Sequence, residues 1–445
     1  MPLAACRLPL AASLLASSAL AQQNLTLKLT EIVPASAGFG QASFVTSYPN
    51  TPRWLVVVEQ REARLRIRNV RNPLLPITPV TGDVLLNISD RVQSAGGSQL
   101  GILGFAFDPE FRTNPEKRFI YVLYTAKEDP AQGLAIAQGV IERFLIPVGS
   151  RFLADPDGDI IWKDPDPSGT FNSVHSYGNI DFGPTDGKLY IPVGDHMDPG
   201  GDPLDLLVAQ SLSSTRGKIL RINKDGSIPN DNPHYTGQDP VQDSIWALGC
   251  RNPFTLRFDS GTGDLWFGDV GNGAREEVNR QSNGASVGMN YGWPCNEGSG
   301  GGPGPCTAQP HTTPYYEYSH GSLDNACGAG LGNAIAFGYV YRGSDFFFTN
   351  QGGAPEERFF FGDFVTSEIF TVPSRMAPPV PDTERTDHTS ELGVCSLIDP
   401  NDGESLFGFG EDSSGELMVV LRKKNPNTAP NQPDYVSVIY RIEPQ

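Results

Sequence analysis

The chain has 445 residues, with 33 basic against 51 acidic side chains, a net charge of -18, and 49 glycines and 38 prolines. That charge argues against nucleic acid and anionic lipid as partners, since both need a positive surface, and it leaves small neutral ligands open. Glycine and proline spread between short apolar runs read as many strands and many loops, not as disorder.

The chain opens with Met1-Pro-Leu-Ala-Ala-Cys-Arg7, an apolar stretch from Leu8 to Leu20, and the small-residue pattern Ala19-Leu20-Ala21. This predicts a signal peptide over 1-21, cleaved after Ala21, and a secreted, extracellular mature domain over 22-445. The stretch falls short of the roughly 20 apolar residues of a membrane span, and no later segment supplies one. Asn24-Leu-Thr26 and Asn87-Ile-Ser89 are candidate glycosylation sequons. The mature cysteines are Cys250, Cys295, Cys306, Cys327 and Cys395, an odd number in an oxidising compartment. Cys295 and Cys306 flank a Gly-rich loop and suit a local disulfide, with Cys327 and Cys395 as competing partners. Cys250, in the run Ile245-Trp-Ala-Leu-Gly-Cys250, is the candidate buried free thiol.

In chain order, one pattern recurs: an apolar strand ending in Phe, a turn rich in Asp, Gly and Pro, then a second apolar strand. It occurs at Gly104–Phe107 with Phe119–Tyr124, at Ile180–Phe182 with Leu189–Ile191, at Leu256–Phe258 with Leu265–Phe267, and at Gly408–Phe409 with Leu417–Val420. Phe107, Phe182 and Phe258 stand about 75 residues apart, and Phe409 follows after two such periods. Weaker copies at Phe44 and Phe337 fill the vacancies. Six small antiparallel units predict an all-β fold, a six-bladed β-propeller of four-stranded antiparallel blades with long decorating loops. The competing reading is a β-sandwich. Residues at matching places near strand starts would line the channel mouth: Gln99, His175, Asp195, Arg251, Asn252, Gly271, Asn272, Glu276 and Arg342.

Several segments carry a resemblance. Ser98-Gln-Leu-Gly-Ile-Leu-Gly-Phe-Ala-Phe-Asp-Pro109, Ser214-Thr-Arg-Gly-Lys-Ile-Leu-Arg-Ile-Asn223, Gly263-Asp-Leu-Trp-Phe-Gly-Asp-Val-Gly271, Asn290-Tyr-Gly-Trp-Pro294 and Gly338-Tyr-Val-Tyr-Arg-Gly343 resemble the glucose/sorbosone dehydrogenase family, in order, from about Trp54 to Val420. The resemblance implies a propeller that binds pyrroloquinoline quinone and Ca²⁺ at the channel mouth, takes a sugar as substrate and passes electrons to an external acceptor. No haem-attachment Cys-x-x-Cys-His motif is present, so a haem acceptor would be another protein. It implies His175 as catalytic base, Asp195 as its orienting carboxylate and Gln99 beside them. Arg251, Asn252, Glu276 and Arg342 would hold the cofactor, and the Gly271 and Asn272 carbonyls the Ca²⁺. The same family holds hedgehog-interacting-protein-like members. The alternative is therefore a non-catalytic propeller binding a glycan or protein, with a Ca²⁺-dependent lactonase ranked last.

The chain departs from the pattern in places. His175-Ser-Tyr-Gly-Asn179 stands for His-Asn-Gly-Gly-Gln, so Tyr177 adds bulk beside the base, and the longer Gly194-Asp-His-Met-Asp-Pro-Gly-Gly201 reshapes the sugar pocket. Ser405 and Phe407 stand where bacterial glucose dehydrogenases carry two arginines. One of Arg61, Arg64, Arg66 and Arg68 could add a cofactor contact. The acidic run Asp195 to Asp205 suits a second Ca²⁺ or plain loop punctuation equally.

Overall fold

The structure is a computed structural model. It describes residues 25–49, 51–70, 83–95, 99–150, 152–166, 174–196, 205–284, 288–308, 310–328, 333–350, 352–425 and 435–445. The expected signal peptide, the sequon at Asn24 and most of the acidic run after His196 lie outside these residues.

The described strands are β1 (Leu27–Val33), β2 (Ala42–Ser47), β3 (Trp54–Glu59), β4 (Arg64–Asn69) and β5 (Val84–Asn87), then β6 (Ile102–Phe107), β7 (Phe119–Thr125), β8 (Gly139–Leu145) and β9 (Asp159–Lys163). Next come β10 (Asp181–Phe182), β11 (Leu189–Val193), β12 (Lys218–Ile222) and β13 (Ile245–Leu248), followed by β14 (Thr255–Phe258), β15 (Leu265–Asp269) and β16 (Arg275–Gln281). A short hairpin of β17 (Asn296–Glu297) and β18 (Gly300–Gly301) precedes β19 (Tyr316–Ser319). β20 (Ile335–Val340), a second hairpin of β21 (Phe348–Thr349) and β22 (Pro355–Glu356), β23 (Arg358–Asp363), β24 (Ile369–Pro373) and β25 (Thr386–Asp387) follow. The last strands are β26 (Ser405–Glu411), β27 (Leu417–Lys424) and β28 (Tyr435–Pro444).

Four sheets have four strands each, in the orders β6-β7-β8-β9, β10-β11-β12-β13, β14-β15-β16-β19 and β20-β23-β24-β25, and an eight-stranded sheet runs β1-β28-β27-β26-β2-β3-β4-β5. Neighbours pair antiparallel except at β2–β26, a parallel join of Val45 with Gly410 and Thr46 with Glu411. There the large sheet divides into two quartets, β2 to β5 and β26-β27-β28-β1. In the second, the outer strand comes from the other end of the chain, Leu27 facing Pro444. Phe44, Phe107, Phe182, Phe258, Phe337 and Phe409 each fall in the strand that opens a quartet, as the spacing predicts.

The second strands of the quartets are mostly apolar and buried on both faces. In β3 and β15, for instance, nearly every residue is buried. Trp266 of β15 stacks on Phe359 of β23 with centroids 4.7 Å apart, and truncating such a side chain costs about 3–5 kcal/mol. The opening strands touch in succession, β2 with β6, β6 with β10, β10 with β14, β20 with β26 and β26 with β2, while β20 meets β15. A cleft of about 250 Å³ is lined by Phe44, Phe105, Asp181, Arg257, Tyr339 and Glu411, one residue on or beside each opening strand.

Antiparallel order places the functional loops. Segments entering an opening strand and turns joining second to third strands emerge at one end, and turns joining first to second strands at the other. The long segment after β16 returns to the first end, because residues beside Asn290 run parallel to β13, with Leu248 bridged to Asn290. Disulfides Cys295–Cys306 and Cys327–Cys395 staple this end, and Cys250 is free and buried. The local pair expected from sequence is present, and its two competitors pair with each other. Among the described residues no helix is long and apolar enough to cross a membrane.

Candidate active site

His175 lies in the segment entering β10, and Asp195 in the turn after β11. Close approach of these two segments requires Gly194: a Cβ there would sit 2.1 Å from the His175 carbonyl oxygen. The Gly194 N–H donates to the Ser176 carbonyl at 2.9 Å. His175 itself takes a left-handed backbone, φ 48°, which presents its ring to Asp195. The His175 Nδ1–H donates to Asp195 Oδ1 at 2.7 Å. Asp195 Oδ2 accepts the Trp293 indole N–H at 2.9 Å. Asp195 is 0% exposed and His175 8%, so the carboxylate is fixed in the interior and Nε2 is the ring nitrogen that a ligand can use. Gln99 stands beside this pair: its Oε1 accepts the Ser176 N–H at 3.2 Å, and its carbonyl accepts the Ser176 hydroxyl at 2.5 Å.

Tyr177 corrects one expectation. Its hydroxyl donates to Asp164 Oδ2 at 2.8 Å and accepts the Gly139 N–H at 3.0 Å, and the ring is buried. The bulk goes into the packing between sheets, not beside the base. His196, edge-on to Tyr177 at 5.5 Å, is a second imidazole next to the dyad. Burial, helped by the Arg216 guanidinium, pushes it down to about 4, so it stays neutral.

Arg251 and Asn252 enter β14 beside the dyad. Their backbone N–H groups donate to the Asp269 carboxylate at 2.9 and 2.6 Å, and the Arg251 carbonyl accepts the Asp195 N–H at 2.7 Å. The guanidinium donates to the Val270 carbonyl at 2.9 Å and the Gly271 carbonyl at 2.6 Å, and it lies 5.5 Å from the Trp293 ring centroid. Burial raises both Asp269 and Glu277, with the Asp195 carboxylate adding to the rise at Asp269 and Asp269 adding to the rise at Glu277. The Arg251 guanidinium works against the rise at Asp269.

The turn Gly271–Arg275 is held from two sides. Glu297 Oε1 accepts N–H groups from Asn272, Gly273, Ala274 and Arg275 at 2.8 to 3.2 Å. Burial opposes its ionised form, yet these N–H groups hold the carboxyl below its usual range. From the other side Glu276, 0% exposed, accepts the Gly271 N–H at 3.2 Å, the His320 Nε2–H at 2.6 Å and the Ile335 N–H at 2.9 Å. Glu276, expected as a cofactor contact, has its carboxylate spent inside the fold and acts on the turn instead. Calcium meets a different obstacle. The Gly271 carbonyl expected to bind it already accepts from Arg251, and among the described residues no group of three or more His, Cys, Asp or Glu could hold a metal.

Arg342 is not brought to this group. It follows β20 at the far end, donating to Asp259 at 2.7 and 2.5 Å and pairing with Glu357 at 2.6 Å. A six-residue strand separates it from Ile335, which touches Glu276, and at about 3.3 Å per residue that is roughly 20 Å. Of the early arginines, Arg64 and Arg66 pair with Glu59, while Arg61 is exposed in the turn between β3 and β4. Trp293, Glu297 and Asp269 were not singled out from sequence, although Trp293 and Asp269 fall in segments that carry the resemblance.

A family model described as Glucose / Sorbosone dehydrogenase matches residues 46–321. Quinoprotein glucose dehydrogenase B of Acinetobacter calcoaceticus is 32% identical over 239 residues, 50% of this chain and 45% of that protein. The HIPL1 protein of Arabidopsis thaliana is 34% identical over 284 residues, 56% of this chain and 38% of that protein. The matches thus span less than half the length of these two curated relatives. Among solved structures, the PQQ-bound form of aldose sugar dehydrogenase from Streptomyces coelicolor superposes with a TM-score of 0.59 at 20% identity, covering 94% of this chain and 98% of that one.

Proposed function

We propose that this chain, which belongs to the glucose/sorbosone dehydrogenase family, is a secreted sugar dehydrogenase that uses pyrroloquinoline quinone, with His175 as its general base. One observation carries the reading: an imidazole anchored at Nδ1 by a buried carboxylate whose other oxygen is held by an indole, at the end of the fold where the long loops gather. The fold we propose is a single domain over 22-445, six quartets closed into a propeller by the β1–β28 and β2–β26 pairings. The succession of touching opening strands and their shared cleft support it.

The donors at the dyad fit a flat polyanion. Arg251 presents a guanidinium over Trp293, and Asn252 lies next to it. Bound there, the quinone would supply the two-electron acceptor for hydride from the sugar carbon. His175 Nε2 takes the hydroxyl proton as hydride leaves, and Asp195 holds the tautomer and stabilises the imidazolium. Calcium does not fit while the Arg251 guanidinium occupies the Gly271 carbonyl. The test mixes recombinant protein with quinone, then follows dye reduction over a panel of aldoses. Folded protein that binds quinone yet reduces dye with none of them contradicts the activity.

A second reading is a non-catalytic propeller holding a glycan or a protein at the same end. It draws support from the HIPL1 match, which covers more of this chain than the dehydrogenase match does. It predicts no quinone binding, and partner binding that survives His175→Ala.

A further inference from the structure

The quartet that closes the chain offers no cation on its opening strand. There Ser405 is buried with its hydroxyl unpartnered, and Phe407 packs edge-on to Phe364 at 6.0 Å. Opposite Ser405 on β27, however, stands Arg422. Its Nη2 donates to the Gly403 carbonyl at 2.7 Å. The guanidinium lies 5.0 Å from the Phe364 centroid and 4.5 Å from that of Tyr435. Its Nε is buried with no hydrogen-bond acceptor.

The electrostatics single this residue out. Arg64, Arg91, Arg143, Arg221, Arg342 and Arg375 are all pushed up, each with a carboxylate among the causes. Arg422 is pushed down by burial, with Tyr435 opposing the fall and Arg61 adding to it. Like charge from Arg61 thus bears on Arg422, and among the described residues no carboxylate pairs with it. Arg61 belongs to the turn after β3, Phe364 follows β23 and Gly403 precedes β26, so all of them lie at the dyad's end of the fold. In a chain of net charge -18, a half-buried cation left without an acid invites an anion from outside. Ring walls on a guanidinium suit a flat one.

We propose that Arg422, assisted by Arg61, is a carboxylate anchor for the ligand of this end, supplying from β27 the cation that Ser405 and Phe407 do not supply on β26. The ligand class is a planar aromatic polycarboxylate. Its identity as the quinone rests on the function proposed above, whereas the anion site does not.

The experiment titrates the full mature protein with pyrroloquinoline quinone and, separately, with pyridine-2,6-dicarboxylate, read by calorimetry and tryptophan quenching. Wild type is compared with Arg422→Gln, Arg422→Lys, Arg61→Gln and the pair Ser405→Arg/Arg422→Gln. A lost charge-assisted carboxylate bond weakens binding by about tenfold or more. Arg422→Gln should show that loss for both probes, Arg61→Gln a smaller one, Arg422→Lys an intermediate one, and the added Ser405→Arg a recovery. If wild type binds quinone and neither Arg422→Gln nor Arg61→Gln weakens it, the anchor is overturned and the dehydrogenase reading stands. Arg422-dependent capture of the dicarboxylate without quinone binding supports the anchor and removes the quinone. Wild type that binds neither probe overturns both. Should Arg422→Gln fail to fold by circular dichroism, the exposed Arg61→Gln decides: undiminished binding of both probes overturns the anchor.

Discussion

Replacing Asp195 with asparagine probes the dyad while nearly keeping its shape. Asp195 Oδ2 accepts the Trp293 indole N–H at 2.9 Å, and Oδ1 accepts His175 Nδ1–H at 2.7 Å. An indole nitrogen only donates. It will therefore keep the amide oxygen on its side and turn the amide NH₂ toward His175. Nδ1 must then accept, the ring proton moves to Nε2, and the nitrogen facing the sugar can no longer take a proton. The same carboxylate-to-amide change in a serine-protease triad lowers kcat by about 10⁴ through the wrong tautomer. Because a positioned base is worth about 10²–10⁴, Asp195→Asn should lower kcat by roughly 10³, with KM and quinone affinity little changed. Trp293→Phe in the same protein frees the amide to turn, and should return about tenfold of the lost rate. Steady-state dye reduction gives both numbers, and ¹⁵N NMR of the His175 ring reads the tautomer directly. Asp195→Asn with activity within tenfold of wild type, or an unchanged tautomer, would refute the orienting role.

Other expectations follow from the same geometry. Gly194→Ala places a methyl 2.1 Å from the His175 carbonyl oxygen, which cannot yield as a side-chain tip would. It should cost about 1–3 kcal/mol by overpacking and abolish turnover, and an unchanged melting temperature would contradict this. His196 falls to about 4 in the folded chain from an ordinary 6.5, so below 6.5 the unfolded state takes a proton that the folded state refuses. Its contribution is complete above 6.5 and is lost as pH falls toward 4, by up to about 3 kcal/mol. Urea unfolding at several pH values should show a slope there that His196→Gln flattens, and parallel slopes count against it. The Cys327–Cys395 bridge closes a separation of 68 residues, so the double Cys→Ser variant should lose about 4 kcal/mol by the loop-entropy rule, read as a lower urea midpoint.

Much of the frame was legible because it is local. Each hairpin shows its own alternation and turn, and all six marker phenylalanines fall in opening strands. The strand completing the last quartet was not legible, since Leu27 pairs with Pro444 across the whole chain and neither segment signals the other. His175 and Asp195 were found because the family wording marks both, and their 2.7 Å bond agrees with the roles assigned. Arg342 was misplaced for a countable reason. It follows an opening strand, and such residues emerge at the far end. Glu276 shows a different limit, because adjacent positions on β16 send side chains to opposite faces and sequence alone does not say which face holds the ligand. Arg422 carries no signal in the sequence, because it lies within a second strand and only the folded register sets it opposite Ser405.

If His175 removes a sugar hydroxyl proton while hydride passes to a quinone bound at this end, quinone binding and quinone reduction must respond differently to loss of the imidazole. The most direct measurement mixes apo-protein with one equivalent of pyrroloquinoline quinone under nitrogen, adds aldose in stopped flow and follows the quinone absorbance, for wild type and His175→Ala. Wild type should show stoichiometric reduction by at least one aldose, and His175→Ala unchanged quinone binding with reduction slowed by about 10²–10⁴. A wild type that binds no quinone, or a His175→Ala variant that reduces it as fast, would contradict this.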